Sequence, residues 1–523
     1  MDKIPYGEWS RWIAFGSFLL VVNVISEPEG FLSITCGGEM NTTHNGITWV
    51  GDAHYIDVGN TAEITDLSEN AYGSYLHTIR VFPKPLNKSC YQLPVVPDVP
   101  YLLRLWFALG NYSGFQQWPS FTFSVETLGL LASQNVSFTD TDTDIYYYEY
   151  VFVSSGKVLH ICFIRTSDPD DPFINAIELR TLKVGMYHAA AKPGTLLPLT
   201  RRQNVGGSTV IRYPGDNFDR IWTPRTPPTN KNLVVAVTTT HPISSDNTDD
   251  FPPYAVLKTA WVVNSSESND IIFHLGSVLG KKTMLLLYFA EIETLNKPES
   301  RSFSVKINDV YRTPDIVSLV LNYSAVELAF QTNDISTSDF TFALDKANSS
   351  TLAPIINAFE YYWVIDTQPP TYSKDVEALI AIKSKFGIIN WISDPCYLIH
   401  WEGISCDNSS SDIRISELNL SGGNLTGSIP ADIGQLTALI NMSLDNNYLM
   451  GSLPNFSNLA FLERLYLQNN NLSGSVPEWL SELKNLKELF IENNNFSGVI
   501  PAQLFNKLIN NSLKMNYSGN PNL

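Results

Sequence analysis

Four times between Leu418 and Pro501 the chain returns to one frame of apolar, asparagine and proline residues. The units read LNLSGGNLTGSIP from Leu418, MSLDNNYLMGSLP from Met442, LYLQNNNLSGSVP from Leu465 and LFIENNNFSGVIP from Leu489. Their closing prolines, Pro430, Pro454, Pro477 and Pro501, are spaced by 24, 23 and 24 residues. One supersecondary unit of that length cannot bury its own apolar face, so the units must stack into a solenoid. A coiled coil or a lone amphipathic helix does not repeat on such a period.

The spacing falls in the leucine-rich-repeat range of about 20–29 residues. Each L-x-L becomes a short strand whose apolar side chains share one core. Asn447, Asn470 and Asn494 stand at the turn between neighbours and are expected to bond backbone that water cannot reach; Gly423 takes that place in the first unit. Between the strand leucines, Glu417, Asn419, Asn441 and Ser443 and then Arg464, Tyr466, Glu488, Phe490 and Glu492 face the concave side. The last five are candidates for partner contact, because exposed aromatics at equivalent positions favour protein association. Lateral stacking of Tyr466 on Phe490 is the competing reading. Asn419 and Asn441 are N-x-S/T sequons, and glycans there would leave the Tyr466–Phe490 end open.

Before the repeats stands SKDVEALIAIKSKFGIINWISDPCYLIHWEGISC, from Ser373 to Cys406. Val376, Leu379, Ile380, Ile382 and Phe386 follow a helical period after Ser373, the N-cap candidate. Cys396 and Cys406, with Trp391 and Trp401 around them, suit a disulfide-bonded cap closing the open end of the solenoid. With only His400 nearby, two cysteines are too few for zinc.

Residues 27–366 read as β-sheet: YLLRLWFAL, FTFSVE, YYYEYVFV, KVLHICFI, MLLLYFAEI and SFSVKIN alternate with Gly, Pro, Asn and Asp clusters. This stretch repeats once. YLLRLWFALGNY, FTFSVE and PFINAIELRTL are echoed about 180 residues later by MLLLYFAEIE, RSFSVKIN and APIINAFEYYW, which predicts two related sandwich lobes, 27–190 and 191–366. Residues 367–411 form linker and cap, and 412–523 the repeats.

The N-terminus is an address. Lys3 and Arg11 precede an apolar run from Trp12 to Val22, so 1–26 reads as a secretory signal peptide; the run is far shorter than the roughly 20 residues that span a bilayer. No later apolar run is longer than a strand, so no membrane span is read in this chain. Sixteen sequons agree with export, among them Asn41, Asn87, Asn111, Asn135, Asn264, Asn322, Asn348 and Asn408. Of five cysteines, the pairing of Cys36, Cys90 and Cys162 stays open. An excess of 52 acidic over 34 basic residues argues against nucleic-acid partners; the densest basic runs are the dipeptides Arg201-Arg202 and Lys281-Lys282.

Together, ITCGG at Ile34, RVFP at Arg80, SCYQL at Ser89, the run from LHICFIRT to PFINAIELR, RYPGDNFDRIW at Arg212, LYFAEIE at Leu287 and the cap from Trp391 resemble the extracellular region of plant malectin-like leucine-rich-repeat receptor kinases. The resemblance covers nearly all of 30–523. It implies a mostly β architecture of two tandem malectin-like sandwiches and a short solenoid, at the cell surface or outside the cell. The cap departs from the family at Ser393, where Gly-Asp-Pro-Cys is common; in some members that segment governs cleavage between the two parts. The resemblance also implies a transmembrane helix and a serine/threonine kinase after a GNP-type ending such as Gly519–Pro521. Within these 523 residues there is no glycine-rich phosphate loop, H-R-D or D-F-G segment, so no kinase chemistry is expected of the chain.

Other chemistry is equally thin. No G-x-S-x-G elbow or H-E-x-x-H helix occurs, and no catalytic residue, metal ligand or cofactor is assigned. Asp140-x-Asp142-x-Asp144 begins like a calcium loop, but Ile145 and Val151 stand where glycine and glutamate are required. SDPDDP at Ser167 reads as a turn. Binding is therefore the expected activity. The relationship to malectin implies a glycan, and related plant receptors imply a secreted peptide, with a partner receptor kinase at the repeats. Aromatic faces that stack on sugar rings are available at Trp49, Tyr55, Tyr72, Tyr75, Tyr112, Phe115 and Trp118, with Arg80 to hold hydroxyls. A soluble decoy or free co-receptor is the alternative, and a carbohydrate-active enzyme a more distant one.

Overall fold

A computed structural model describes residues 30–523 except 40, 66, 68–72, 111, 113, 115–118, 128–129, 139–144, 167–170, 228–233, 264–269, 278–279, 313–316, 320–321, 334–338, 368–369 and 410–411. The leader, Tyr72, Phe115, Trp118, Asn111, Asn264 and the Asp140–Asp144 motif lie outside the described residues.

The two β-rich copies share a single backbone sheet. Eleven strands run through it in an order that takes Phe31–Thr35, Ala176–Thr181, Pro100–Phe107 and Tyr146–Val153 of the first copy directly into Thr195–Val205, Ala358–Asp366, Lys282–Ala290 and Ala325–Thr332 of the second. The second copy repeats the first strand for strand. Each copy adds a second sheet, Lys88–Pro94, Val158–Arg165, Ser120–Thr127 and Leu130–Ser137 in the first, and one built on Asp270–His274, Thr341–Lys346 and Ser302–Ile307 in the second. The internal repeat extends to single hydrogen bonds. Asn175 accepts from the Ala108 N–H at 2.7 Å, and Asn357 accepts from the Ala290 N–H at 2.7 Å. The Asn-Ala of FINAIEL and IINAFEY is thus an internal strut, recurring because the same strand crossing recurs. Gly37 and Gly206 close it: both have positive φ (79° and 84°), and a Cβ would meet Ile79 O or Ala260 O at 2.7 Å.

Strand Pro100–Phe107 is buried at every residue because both its faces are covered. Tyr101, Leu103, Leu105 and Phe107 enter the first sandwich core. Leu102 faces the other way, into the second core with Val151 and Tyr187. The same strand places Arg104 beneath the segment 211–222, which crosses the sheet and is closed by a bridge between Ile211 and Trp222.

The solenoid follows the repeat frame. Arg414–Asn419, Asn441–Ser443, Arg464–Tyr466 and Glu488–Phe490 stack in parallel, and Lys514–Asn516 adds a fifth rung that the four-unit count misses. Asn520 continues the ladder of Asn447, Asn470 and Asn494: its amide accepts from Phe496 N–H at 3.0 Å and donates to Ile491 O at 2.9 Å. The signal is weak because Met515 replaces the strand leucine and the turn reads YSGNP. Each ladder asparagine bonds its predecessor's backbone, as Asn447 does with Leu425 N–H and Leu420 O. The first repeat has no predecessor of this kind, and Gly423 suffices there.

The cap helix spans Ser373–Phe386 and ends on Gly387 in the left-handed conformation (φ 69°). Ser373 is its first residue, not its N-cap; Tyr372 holds that position, and Asp375 instead spends its carboxylate on Arg414 and the Ile415 N–H at 3.0 Å each. Ile380, one of the periodic apolar residues, faces solvent while Ala378, Leu379 and Ile382 are buried. Cys396–Cys406 is a disulfide and Trp391 stacks on Trp401 at 5.1 Å. Cys90 pairs with Cys162 across adjacent strands, leaving Cys36 as a buried free thiol. Ser393, where the family commonly has glycine, sits at φ 68°, a region that costs a residue with a side chain about 1–2 kcal/mol.

Cap and first lobe touch. Asp394 donates its N–H to Glu126 at 3.4 Å, and Lys88 pairs with Glu126 at 3.0 Å while reaching Tyr397 O at 3.4 Å. Burial, with Lys88 and Lys383 nearby, lowers the His160 imidazole to about 4, so it stays neutral under the cap.

Candidate ligand and partner surfaces

The lobe junction is built from charge. Arg104, Arg180, Arg202, Arg212 and Arg220 meet Glu149, Glu178, Asp216, Asp219 and Glu360, five cations against five anions. All but Arg212 are fully buried. Glu149 joins the lobes: it takes Arg104 at 2.6 Å from the first copy and Arg202 at 2.5 Å from the second. Arg202 continues to Glu360 at 2.7 Å, and Arg180 and Arg212 hold Asp219 at 2.9 and 2.8 Å. Neutral overall and saturated with bonds, the network is tolerable in low dielectric. The RYPGDNFDRIW motif supplies Arg212, Asp216, Asp219 and Arg220, so its role is to strap the two lobes together.

Beside this strap two carboxyls share a buried place. Asp250 is 1 % exposed, accepts from Tyr187 N–H, and donates its own N–H to Glu327 at 3.0 Å. Burial raises both above their ordinary values; the charge of Glu327 adds to the rise at Asp250, and the charges of Glu360 and Asp249 add to the rise at Glu327. Around Glu178 and Glu360 the sign is opposite, since their arginines outweigh burial and hold them low. A raised folded-state value means stability fully present on the acid side and lost as pH rises through that value. Asp250→Asn is therefore expected to flatten the decline in stability above the ordinary carboxylate range, by up to about 1.4 kcal/mol per pH unit for one proton. Urea unfolding of both proteins across that pH range measures the difference.

The sandwich residues expected to meet a ligand separate into two groups. Trp49 and Tyr75 are 1 % and 2 % exposed and stack on each other at 3.7 Å inside the first core. Arg80 is clamped by Asp52 at 2.5 Å and by Val58 O at 2.9 Å. The structure differs here from an open ligand surface: the rings of Trp49 and Tyr75 face each other in the core, and the Arg80 guanidinium is taken by Asp52 and Val58 O. Tyr55 and Tyr112 are half-buried at the margin of the same core.

A cleft opens elsewhere. Strand Tyr146–Val153 pairs with Thr195–Val205 only from Tyr150 to Phe152; the latter strand then breaks register between Leu199 and Arg201 as it follows Ala358–Asp366. The strands part around a space of about 250 Å³ lined by Tyr147, Glu149, Thr200, Arg201, Gln203 and Thr223. Sequence reading missed this site, although the Arg201-Arg202 dipeptide carried a signal. In a strand, neighbours point to opposite faces, so Arg202 enters the junction and Arg201 remains at the cleft.

The concave face of the repeats is half-exposed at Arg464, Tyr466, Glu488, Phe490 and Glu492. Tyr466 and Phe490 stack at 5.2 Å, Tyr466 Oη donates to Glu488, and Lys514 lies 5.1 Å over Phe490. Burial and Glu488 raise the Tyr466 phenol to about 12. Lateral stacking is thus real, and it leaves one side of the pair open. Register aligns Asn419, Ser443, Tyr466, Phe490 and Asn516 in one row, with sequons at both ends.

Among the described residues no cluster of three or more His, Cys, Asp or Glu is arranged to hold a metal ion, and no helix is long and apolar enough to cross a membrane. Fold and surfaces define a two-lobed β-sandwich module continued by a short leucine-rich solenoid. The malectin-like domain model matches residues 34–364, a leucine-rich-repeat N-terminal domain 373–407, and leucine-rich repeats 414–436, 461–483 and 485–507. A probable LRR receptor-like serine/threonine-protein kinase of Arabidopsis thaliana is 32% identical over 452 residues, 82% of this chain and 48% of that protein. A second of the same description is 31% identical over 495 residues, 90% of this chain and 51% of its own length. The chain belongs to the plant malectin-like leucine-rich-repeat receptor-like kinase family, and spans about half the length of the curated relatives it matches. Its matched regions are those of the ectodomain; no kinase domain is found within it. Crystal structures similar in fold include the plant receptor-like kinase FER (TM-score 0.55, 20% identity, covering 64% of this chain and 96% of the crystallised chain). Another is the plant peptide RALF23 in complex with FER and LLG2 (TM-score 0.52, 19% identity, covering 65% of this chain and 96% of the matched chain).

Proposed function

We propose that this chain is the ligand-recognising extracellular part of a receptor-kinase-like protein, taking a glycan or secreted peptide at its malectin-like lobes and docking a partner receptor with the concave face of its repeats. The observation that carries the reading is the coexistence of a cleft at a rigid lobe junction with a half-exposed aromatic strip on the solenoid. A peptide is favoured over a glycan, because Trp49 and Tyr75, the aromatic platforms a sugar would need, are buried against each other. FER, a protein of like fold, has been crystallised with a peptide and a second protein, which supports a peptide ligand and a protein partner here. Placement at the cell surface or beyond is supported by exposed sequons at Asn41, Asn87, Asn135, Asn322, Asn348 and Asn408.

The test is capture of leucine-rich-repeat receptor ectodomains by the secreted, glycosylated chain. Tyr466→Ala with Phe490→Ala is expected to weaken that capture at least about tenfold, or 1.4 kcal/mol, while leaving the malectin-like part folded. Undiminished capture by this double variant would move the partner surface elsewhere. Release of sugar from a polysaccharide by the purified chain would replace the reading with an enzymatic one.

A further inference from the structure

We propose that the interlobe cleft receives the carboxylate of an acidic peptide segment lying extended beside strand Tyr146–Val153, with Arg201 as its anchor. This deepens the reading of the lobes as the ligand-binding part and rests on it.

The charge pattern around the cleft points there. Its floor is closed electrostatically: Glu149 accepts Arg104 and Arg202 on its two oxygens, and Arg202 also holds Glu360 and Tyr362. Nothing on the floor is left to neutralise a wall. The wall carries Arg201, which makes no ion pair among the described residues, in a chain where acids outnumber bases 52 to 34. Next to it, Arg225 is bonded to the neutral amide of Gln203 at 2.6 Å and packs over Phe273 and Trp261 at 5.0 and 5.6 Å. Burial and the proximity of Arg201 both disfavour the charged form of Arg225. Arg201 at the cleft and Arg225 beside it, neither in an ion pair with a carboxylate of the described residues, form a site that a carboxylate completes through charge-assisted hydrogen bonds.

The backbone selects the kind of ligand. Pairing between Tyr146–Val153 and Thr195–Val205 stops at Tyr150, and Thr223–Arg225 takes up the latter strand from Gln203 to Val205, so the cleft is a gap walled by extended backbone, a shape that an extended segment fits. Among the described residues that line the cleft, the aromatic ring is that of Tyr147, and it is turned to Trp106 at 4.8 Å and to Arg104 at 5.8 Å rather than offered to a sugar. A space of about 250 Å³ is below the size of a complete small-molecule pocket, and suits one anchoring side chain of a longer chain.

The experiment uses the full secreted chain and a dye-labelled pentapeptide, acetyl-Thr-Val-Glu-Val-Thr-amide, titrated to millimolar concentration by fluorescence anisotropy. Its Gln counterpart and a galacturonate trimer are run in parallel. Expected is binding of the Glu peptide at least about tenfold tighter than the Gln peptide. Arg201→Gln is expected to abolish that difference, with an unchanged melting temperature since Arg201 makes no ion pair with the described residues. Thr200→Trp, which fills the cleft, should abolish binding of both peptides. Equal binding of the two peptides, lost in Thr200→Trp but untouched by Arg201→Gln, would overturn the carboxylate anchor and leave the cleft as ligand site. Binding indifferent to both substitutions would overturn the cleft itself. Binding of the galacturonate alone, or of no probe, would overturn the peptide.

Discussion

Replacing Glu149 with Gln is expected to destabilise the malectin-like part by about 3–5 kcal/mol, the range for breaking a buried ion pair from one side. The carboxylate serves two guanidiniums at once, Arg104 at 2.6 Å and Arg202 at 2.5 Å. A glutamine has one acceptor oxygen, and its amide donors would then face an arginine that can only donate. Neither arginine can escape to water, since both are wholly buried. The network crosses from one sandwich to the other, so the loss should appear as looser coupling of the lobes, with faster amide exchange in Thr195–Val205. Asp366→Asn is the control. Its pair with Lys282 is about half exposed, and such pairs contribute roughly 0–1 kcal/mol. Urea midpoints decide the matter: equal shifts in the two variants would mean that the junction is not the keystone of the domain.

Asn470→Ala is expected to destabilise the solenoid by about 1–3 kcal/mol. Asn470 is buried and accepts from Leu449 N–H at 2.9 Å while donating to Leu444 O at 3.0 Å and Leu467 O at 3.2 Å. Alanine leaves the Leu449 N–H without its partner in a place water does not enter, at about 1–3 kcal/mol, while Leu444 O and Leu467 O keep the amides of Asn447 and Asn494 at 3.0 and 2.9 Å. Because every repeat rests on the next, the effect should spread along the stack, with fast hydrogen exchange at Leu449 and its neighbours. Asn485→Ala removes one exposed bond, to Ala460 O at 2.7 Å, and is expected to cost no more than about 1.5 kcal/mol. Slow exchange at Leu449 in the Asn470 variant would show that water replaces the asparagine.

The repeats were legible because their information is local and periodic. The positions of Leu465, Asn470 and Pro477 recur at the same offsets in each unit, with Met442 and Gly423 as the departures, and a repeat's neighbours in space are its neighbours in sequence. The fifth rung escaped only where Met515 and the YSGNP turn break the frame. The duplication of the sandwiches was legible for the same reason, in the echo of FINAIEL by IINAFEY. What escaped is non-local. Trp49 and Tyr75 are residues a ligand surface uses, and composition does not say that they stack in a core.

By itself, the sequence determined the repeat solenoid, its disulfide cap and a duplicated β-sandwich, because strand alternation, a repeat of about 24 residues and an internal echo are written along the chain. Only the tertiary structure decided that the two sandwiches share one continuous sheet, that ten charged residues from six segments meet at its centre in neutral balance, and that Arg201 stays outside that balance. The physical reason is that a buried charge is defined by its partners. Here those partners come from strands up to 158 residues apart, a distance at which no pattern along the chain pairs them.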